Sequence, residues 1–378
     1  MIRTVKCQMV IKLIFFLILG VFFNSCSKTE NKAAPQTAYP DAQMELALGT
    51  FCIINLYESG SDSLYSSIFS RIHEIDRTMT VHPGEYQYLL DAMNSYMPPG
   101  TETLVSDIVA INEQAGIRPV KVRSEIIDIL EKSLYYAELS GGAFDPTIGP
   151  LVKLWSIGSD DERLPSEKEI SDTLELVNWR DVIINRDEKT VFLLKEGMAL
   201  DLGAIAKGYA GDEAVRIAKD AGVKSGVLDL GGNIVTIGWR TDKGSTRPWR
   251  IGVQDPLHER GSYIGILSVH DTCVVTSGVY ERYFMLDGKR YHHIFSTETG
   301  YPVDNGLLSV TIVTEKSTDA DALSTVVFTL GLEQGKALVD ATPGVEAVFI
   351  LDDKSIIITD GLKEIFSLES EEFTLSNF

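Results

Sequence analysis

Hydrophobic and polar positions follow two different periods along this chain. In the first half, apolar residues recur every three or four positions, as Ile68, Ile72 and Ile75 do, which predicts amphipathic helices. From Gly226 onward the chain is instead a series of short runs rich in β-branched residues, which predicts strands. Helices that precede mostly antiparallel strands favour an α+β fold, in which layered mixed or antiparallel sheets carry flanking helices. A doubly wound parallel sheet is the less favoured alternative.

The predicted elements follow from these periods and from local capping and turn residues. Helices are predicted at 61–77, 104–115, 124–139, 166–177, 319–330 and 333–339, the fourth from the capping box at Ser166 and Glu169. Strands are predicted at 46–57, 227–230, 234–238, 249–253, 263–269, 273–276, 308–313, 347–351 and 355–359, with a hairpin at 180–195. No repeat or linker interrupts residues 43–378, so we expect them to form a single catalytic unit.

The N-terminus has the pattern of an export signal. Basic residues precede an apolar run at 13–23, which is too short to anchor the chain in a bilayer. Cys26 follows Asn24-Ser25, as in the lipobox of bacterial lipoproteins, although Phe23 stands where that pattern usually has Leu. We therefore predict a signal peptide at 1–25 and a lipidated Cys26 with a flexible tether at 26–42. The protein would then be exported and lipid-anchored to the bacterial membrane, facing the periplasm. An ordinary signal peptide cleaved nearby is the alternative.

Charge and cysteine content narrow the possible functions. The chain has a formal net charge of −20, and removing residues 1–25, with three basic and no acidic side chains, lowers it to −23. Such a charge argues against nucleic acid as a partner, because phosphates would be repelled. A phosphate-rich ligand would need a local cation, such as a metal ion. Beyond Cys26 only Cys52 and Cys273 remain, and we interpret them as buried thiols rather than a disulfide.

Two segments combine glycines with an acidic residue and would let a ligand approach the backbone. Segment 141–149 (GGAFDPTIG) follows a predicted helix, and Phe144 offers a flat apolar face beside the acceptor Asp145. Segment 199–213 (ALDLGAIAKGYAGDE) crosses from a strand into a helix, with Asp201 and Lys207 near the helix start. That arrangement suits a phosphate, a metal ion or both. Taken singly, each segment is also explained by helix capping.

Two further segments supply possible metal ligands and a base. Asp321 and Thr325 are spaced four residues apart on a predicted helix, so they present two hard oxygens on one face, as Mg²⁺ prefers. In segment 291–294 (YHHI) the two adjacent histidines must point to opposite faces of a strand. One of them is a candidate general base near neutral pH.

In this order, the four segments resemble the ApbE family, the Mg²⁺-dependent FAD:protein FMN transferases. Segments 228–233 (LDLGGN), 251–256 (IGVQDP) and 275–278 (VTSG) add to the resemblance, which extends from about residue 46 to 351. The resemblance implies an α+β (T-fold-related) fold and transfer of FMN from FAD to a threonine or serine hydroxyl of an exported or membrane redox protein, with release of AMP. The implied acceptor is a subunit of a Na⁺-pumping quinone reductase (Nqr) or Rnf complex, or a small FMN-binding domain.

The resemblance also assigns roles to individual residues. His293 corresponds to the catalytic histidine. The implied FAD contacts are Leu48, His82, Ala143, Phe144, Asp145, Asp201, Lys207 and Ile294. The implied Mg²⁺ ligands are the Ala204 carbonyl, Thr318, Asp321 and Thr325.

The sequence departs from the family pattern at three places. Leu48 replaces a methionine, His82 stands where a tyrosine is common, and Ser296-Thr297 replaces Asp-Pro after the histidines. Loss of the aromatic face at His82 keeps a second hypothesis open, an FAD pyrophosphatase that yields FMN and AMP. A lipid-anchored flavin-binding protein without turnover is a third hypothesis.

Overall fold

The computed structural model describes residues 42–57, 60–81, 106–242 and 244–376, which belong to one compact unit. Its helices are α1 (Asp62–Met79), α2 (Asp107–Glu113), α3 (Ser124–Leu139), α4 (Gly149–Trp155), α5 (Glu167–Leu174), α6 (Ala206–Asp220) and α7 (Ser317–Asp340). Its strands are β1 (Gln43–Ala47), β2 (Thr50–Tyr57), β3 (Val120–Lys121), β4 (Val182–Asn185), β5 (Thr190–Leu193), β6 (Ser225–Leu230), β7 (Asn233–Ile237), β8 (Arg240–Asp242), β9 (Ser245–Arg247), β10 (Trp249–Gln254), β11 (Tyr263–Val269), β12 (Cys273–Gly278), β13 (Tyr283–Leu286), β14 (Lys289–His292), β15 (Leu307–Thr314), β16 (Glu346–Leu351), β17 (Ser355–Ile358), β18 (Phe366–Leu368) and β19 (Thr374–Leu375).

A nine-stranded sheet organises this unit, in the order β1-β2-β6-β7-β12-β15-β16-β17-β19. Its neighbouring strands are antiparallel except for the parallel pair β17–β19. Helices α1, α6 and α7 share one hydrophobic core with strands of this sheet, while the three-stranded sheet β10-β11-β18 contributes to a second core. The predicted α+β fold of layered sheets with flanking helices is therefore confirmed.

Helix α1 shows how the predicted pattern forms the core. Ser61 caps its N-terminus by accepting the amide of Leu64, and Ile68, Ile72 and Ile75 are fully buried. Each such side chain contributes about 1.5–3 kcal/mol when removed from water. The predicted capping box at the start of α5 is also present.

The first predicted strand is wrong as a single element. Residues 46–57 contain the end of β1, a tight turn and all of β2. Leu48 and Gly49 occupy this turn with φ of 54° and 73°, and two residues with positive φ match the twist of a two-residue hairpin loop. Leucine rarely adopts this conformation, so the sequence gives only Gly49 as a turn signal.

Helix α7 consists of two helical segments, as predicted, because Gly331 interrupts it with a non-helical backbone. The first segment carries Asp321 and Thr325. None of the helices in the described ranges is long and apolar enough to cross a membrane. The proposed signal peptide, Cys26 and the tether up to residue 41 lie outside the described residues, and so does His82.

Candidate functional site

The site is built around a close contact between helices α6 and α7. The Gly208 amide donates a 2.8 Å hydrogen bond to Asp321 Oδ2, across 113 residues of sequence. A Cβ on residue 208 would lie 2.3 Å from the Ser317 carbonyl oxygen, so glycine is required for this approach. Asp321 is buried, and its position is fixed by the contact.

The first turn of α6 provides oxygen atoms for a cation. In a regular helix the Gly208 amide would take the carbonyl of Ala204, four residues earlier, but here it donates to Asp321. The Lys207 ammonium lies 3.2 Å from the Gly203 carbonyl oxygen and 3.6 Å from Asp321 Oδ1. A carboxylate and nearby carbonyls that already hold one cationic group are hard oxygen ligands of the kind Mg²⁺ prefers.

Thr325 lies one helical turn after Asp321, as predicted. Its hydroxyl is 3.3 Å from the hydroxyl of Ser277 in β12, which also contacts Ser324 at 2.8 Å. Ser277 therefore orients the threonine hydroxyl from the neighbouring strand. The residues that could hold Mg²⁺ are thus Asp321, Thr325 and the Ala204 carbonyl.

Thr318 has a different environment from the other candidate ligands. Its hydroxyl donates a 2.6 Å hydrogen bond to Asp212 of α6, which also accepts the amides of Ser317 and Thr318. Asp212 thereby satisfies the N-terminus of α7, where such amides otherwise lack partners. The side chain of Thr318 serves the contact between helices, and sequence reasoning missed Asp212.

The glycine segment after α3 is a tightly bonded loop. Asp145 is buried, and its carboxylate accepts the amide and hydroxyl of Thr147 and the amide of Trp179. Burial raises its pKa, while these hydrogen bonds act in the opposite direction. The acid therefore shapes the loop that presents Ala143 and Phe144. The Phe144 ring is buried and meets the edge of Tyr136.

Asp201 joins this loop to the start of α6. Its amide donates to the Pro146 carbonyl at 2.8 Å, and its Oδ1 accepts the Gly203 amide at 2.7 Å. A bridge between Ile148 and Ala199 strengthens the connection. Two segments that are about 55 residues apart in sequence therefore lie side by side, as the site hypothesis requires.

The two histidines have different environments. His292 is buried; its Nε2 lies 2.8 Å from the Val303 carbonyl and its ring meets Phe328 edge-on. His293 is half-buried just beyond β14, and its Nδ1 lies 3.2 Å from the Arg282 carbonyl. Because a carbonyl only accepts, Nδ1 carries the proton and Nε2 keeps a free lone pair.

Electrostatics keep His293 neutral. Desolvation is the largest cause that lowers its pKa below the usual 6.5, and the positive charges of Arg282 and Lys207 act in the same direction. A neutral imidazole with a free Nε2 is a proton acceptor at neutral pH.

The loop after His293 is tied back to the glycine segment. The Thr297 hydroxyl donates to the Gly142 carbonyl at 2.7 Å, and Ser296 Oγ accepts the amides of Glu298 and Thr299. The residues that depart from the family pattern here therefore stabilise the loop. Ile294 is buried beside them.

Leu48 is the described candidate with the least connection to this cluster. Its amide donates to Asp76 Oδ2 of α1 at 2.9 Å, which helps to hold its positive φ. Positions 143–145, 201–208 and 321–325 are linked more closely through the contacts given above, and the loop after His293 joins them through the Thr297–Gly142 hydrogen bond.

Comparison with known proteins agrees with this arrangement. The profile of the ApbE family matches residues 48–349. The chain belongs to the ApbE family. It is 36% identical over 344 residues to an FAD:protein FMN transferase of Treponema pallidum (strain Nichols), which covers 88% of this chain and 91% of that protein. An FAD:protein FMN transferase of Klebsiella pneumoniae (strain 342) is 34% identical over 320 residues, covering 85% and 92%.

Solved structures of the ApbE family share the fold. The ApbE protein of Thermotoga maritima superposes with a TM-score of 0.73 at 32% identity, covering 86% of this chain and 98% of that one. The apo form of the Pseudomonas stutzeri flavinyl transferase ApbE gives a TM-score of 0.70 at 25% identity, covering 87% and 98%. The likeness therefore spans most of this chain and nearly all of each solved one.

Proposed function

We propose that this ApbE family member transfers FMN from FAD to a threonine or serine hydroxyl of an acceptor protein and releases AMP. The observation that carries the proposal is His293, a neutral imidazole whose Nδ1 proton is directed to the Arg282 carbonyl, so that Nε2 is available as a proton acceptor. Relatives that cover most of the chain are named for this reaction.

Each of these residues has a separate role in the proposed phosphoryl-type transfer. The acceptor hydroxyl oxygen bonds to the phosphorus on the FMN side of FAD, and its proton passes to Nε2 of His293. The bond from that phosphorus to the bridging oxygen breaks, and AMP leaves with the electron pair. Lys207 offers a positive charge to the phosphates. The proposed contacts with the flavin and ribose are made by Ala143, Phe144, Asp145, Asp201 and Ile294.

Mg²⁺ is part of this proposal. Asp321, Thr325 and the Ala204 carbonyl would hold it. Thr318 is a weaker candidate ligand, because its hydroxyl already bonds to Asp212. When bound, the ion would neutralise charge on the pyrophosphate and on the departing AMP.

We also propose where the reaction takes place. Lipidation of Cys26 would keep the enzyme on the outer side of the cytoplasmic membrane. Its acceptor would be a subunit of a Na⁺-pumping quinone reductase (Nqr) or Rnf complex, or a small FMN-binding domain. The export pattern of residues 1–25 supports this location.

The test is incubation of the purified protein with FAD and Mg²⁺, with or without an acceptor domain that carries an exposed threonine segment. AMP and the acceptor mass are measured together. AMP with an FMN-sized mass gain supports transfer. AMP with free FMN, whether or not acceptor is present, would make the protein a pyrophosphatase and direct attention to His82→Tyr. FAD binding without AMP would make it a flavin-binding protein.

A further inference from the structure

The hairpin β13–β14 forms a separate two-stranded sheet whose second strand runs directly into His293. A two-stranded sheet has two outer edges, and unpaired main-chain groups on such an edge can bind another extended segment. The position of His293 makes the β14 edge the relevant one.

The pairing pattern shows which groups of β14 face outward. In an antiparallel pair, residues alternate between those bonded to the partner strand and those whose amide and carbonyl point away. The His293 amide bonds to the Arg282 carbonyl, so His293 belongs to the inward set together with Tyr291 and Lys289. Arg290 and His292 therefore direct their amides and carbonyls away from β13.

The continuation of the same edge supports this assignment. Ile294 is the next outward residue, and its carbonyl accepts the Val303 amide at 2.9 Å. Ser296 follows, and its amide donates to the Tyr301 carbonyl at 2.8 Å. Within the described ranges, no main-chain hydrogen bond is found at the outward groups of Arg290 and His292. The edge is thus paired beyond His293, whereas before it the outward main-chain groups lack main-chain partners in the described residues, although the His292 side chain is buried and bonds to the Val303 carbonyl.

A groove runs along the open part of this edge. Its volume is about 300 Å³, and β14 forms one wall while segment 301–308 forms the other. Lys289 and Arg290 lie on the strand side, and Asp304 and Asp352 also line the groove. The groove is therefore lined by charged groups of both signs together with open main-chain donors and acceptors.

We propose that this groove binds the acceptor protein, whose threonine or serine segment adds to β14 as an extended strand. The inference rests on the proposed function. Strand addition draws its affinity from main-chain hydrogen bonds and aligns a segment in a fixed register. The last residue of β14 that lines the groove is His292, which directly precedes His293, so a segment bonded to Arg290 and His292 ends one residue from the base. The charged walls select the residues that flank the hydroxyl.

The test removes one outward amide. Arg290→Pro deletes that N–H without breaking a bond to β13, since proline is tolerated where a strand amide points outward. Met285→Pro is the matched control, because Met285 is paired with Arg290 and directs its amide to the opposite edge of the same hairpin. Arg290→Ala separates loss of the side chain from loss of the amide.

We expect Arg290→Pro to raise KM for the acceptor domain about tenfold and to leave kcat unchanged. The reason is that a carbonyl of the bound acceptor segment loses its hydrogen-bond donor. Met285→Pro should keep the wild-type KM, and Arg290→Ala should change it by less than about threefold. Equal KM in wild type and Arg290→Pro, or equal effects of the two proline variants, would overturn the groove assignment. If the wild type itself transfers no FMN, the proposed function fails instead.

Hydrogen exchange in the unaltered protein gives a second readout that does not depend on the variants. Adding the acceptor domain without FAD should slow exchange of the Arg290 and His292 amides, while the Met285 amide keeps its rate. Unchanged exchange at both β14 amides with acceptor bound would overturn the assignment.

Discussion

Replacing Asp321 by asparagine separates its role in metal binding from its role in the fold. The amide oxygen of Asn can still accept the Gly208 amide, which now bonds to the carboxylate at 2.8 Å. A hydrogen bond to a charged group contributes about 1.5–3 kcal/mol and a neutral one about 0.5–1.5 kcal/mol. The loss of stability is therefore about 1–2 kcal/mol, or a few degrees in Tm for a domain of this size.

The effect on magnesium dependence should be far larger. Changing a residue that only supports a metal ligand typically costs about 10–100-fold in affinity, so loss of a carboxylate ligand should cost at least about 100-fold. AMP release is measured across a Mg²⁺ titration, with Tm recorded in parallel. We expect Asp321→Asn to be folded and almost inactive at Mg²⁺ concentrations that saturate the wild type.

Asp319→Asn is the control for this experiment. Asp319 lies two residues earlier in α7, and its carboxylate bonds to the Tyr136 hydroxyl at 2.8 Å and to Lys132 at 2.6 Å. Its loss should lower Tm by a similar amount and leave the Mg²⁺ titration unchanged. A wild-type Mg²⁺ titration in Asp321→Asn would refute the assignment of this carboxylate as a ligand.

Four further predictions concern His293 and the two cysteines. His293→Ala should keep FAD affinity and lose about 10²–10⁴-fold in transfer rate, and an equal loss of both would make the residue structural. Because the folded pKa of His293 is lowered, the unfolded chain binds more protons below pH 6.5, so this group's stability contribution falls on acidification through that window. Because of the same lowered pKa, the acidic fall of kcat/KM that reports protonation of His293 should lie below pH 6.5. A fall of kcat/KM centred at pH 6.5 would contradict the burial argument. Burial raises the pKa of Cys52 to about 12 and that of Cys273 further, so neither should react with a thiol reagent until urea unfolds the protein; rapid labelling of the native protein would count against buried thiols.

Local rules predicted much of the fold, because capping and periodicity are properties of short segments. The Ser61 cap, the capping box at Ser166 and the apolar face of α1 are examples. The Leu48 turn was missed because its positive φ is held by a distant acid, Asp76, rather than by a residue that prefers it.

The site was less accessible to such rules. The Gly208–Asp321 bond joins residues 113 positions apart, and no period of the sequence contains that contact. The family resemblance pointed to the segments, but the geometry assigned new roles within them. Asp145 has both carboxylate oxygens occupied by its own loop and by Trp179, and Asp212 caps α7 without any local sign of that function.

The most direct test of transfer is the ratio of AMP released to FMN attached, measured on one acceptor domain and on its threonine-to-alanine variant. If transfer is the reaction, one AMP is released for each FMN attached to the threonine-containing acceptor. The variant acceptor gains no FMN and gives no matching burst of AMP. AMP in excess of attached FMN, released at a rate independent of the acceptor threonine, would show that the protein does not act as a transferase.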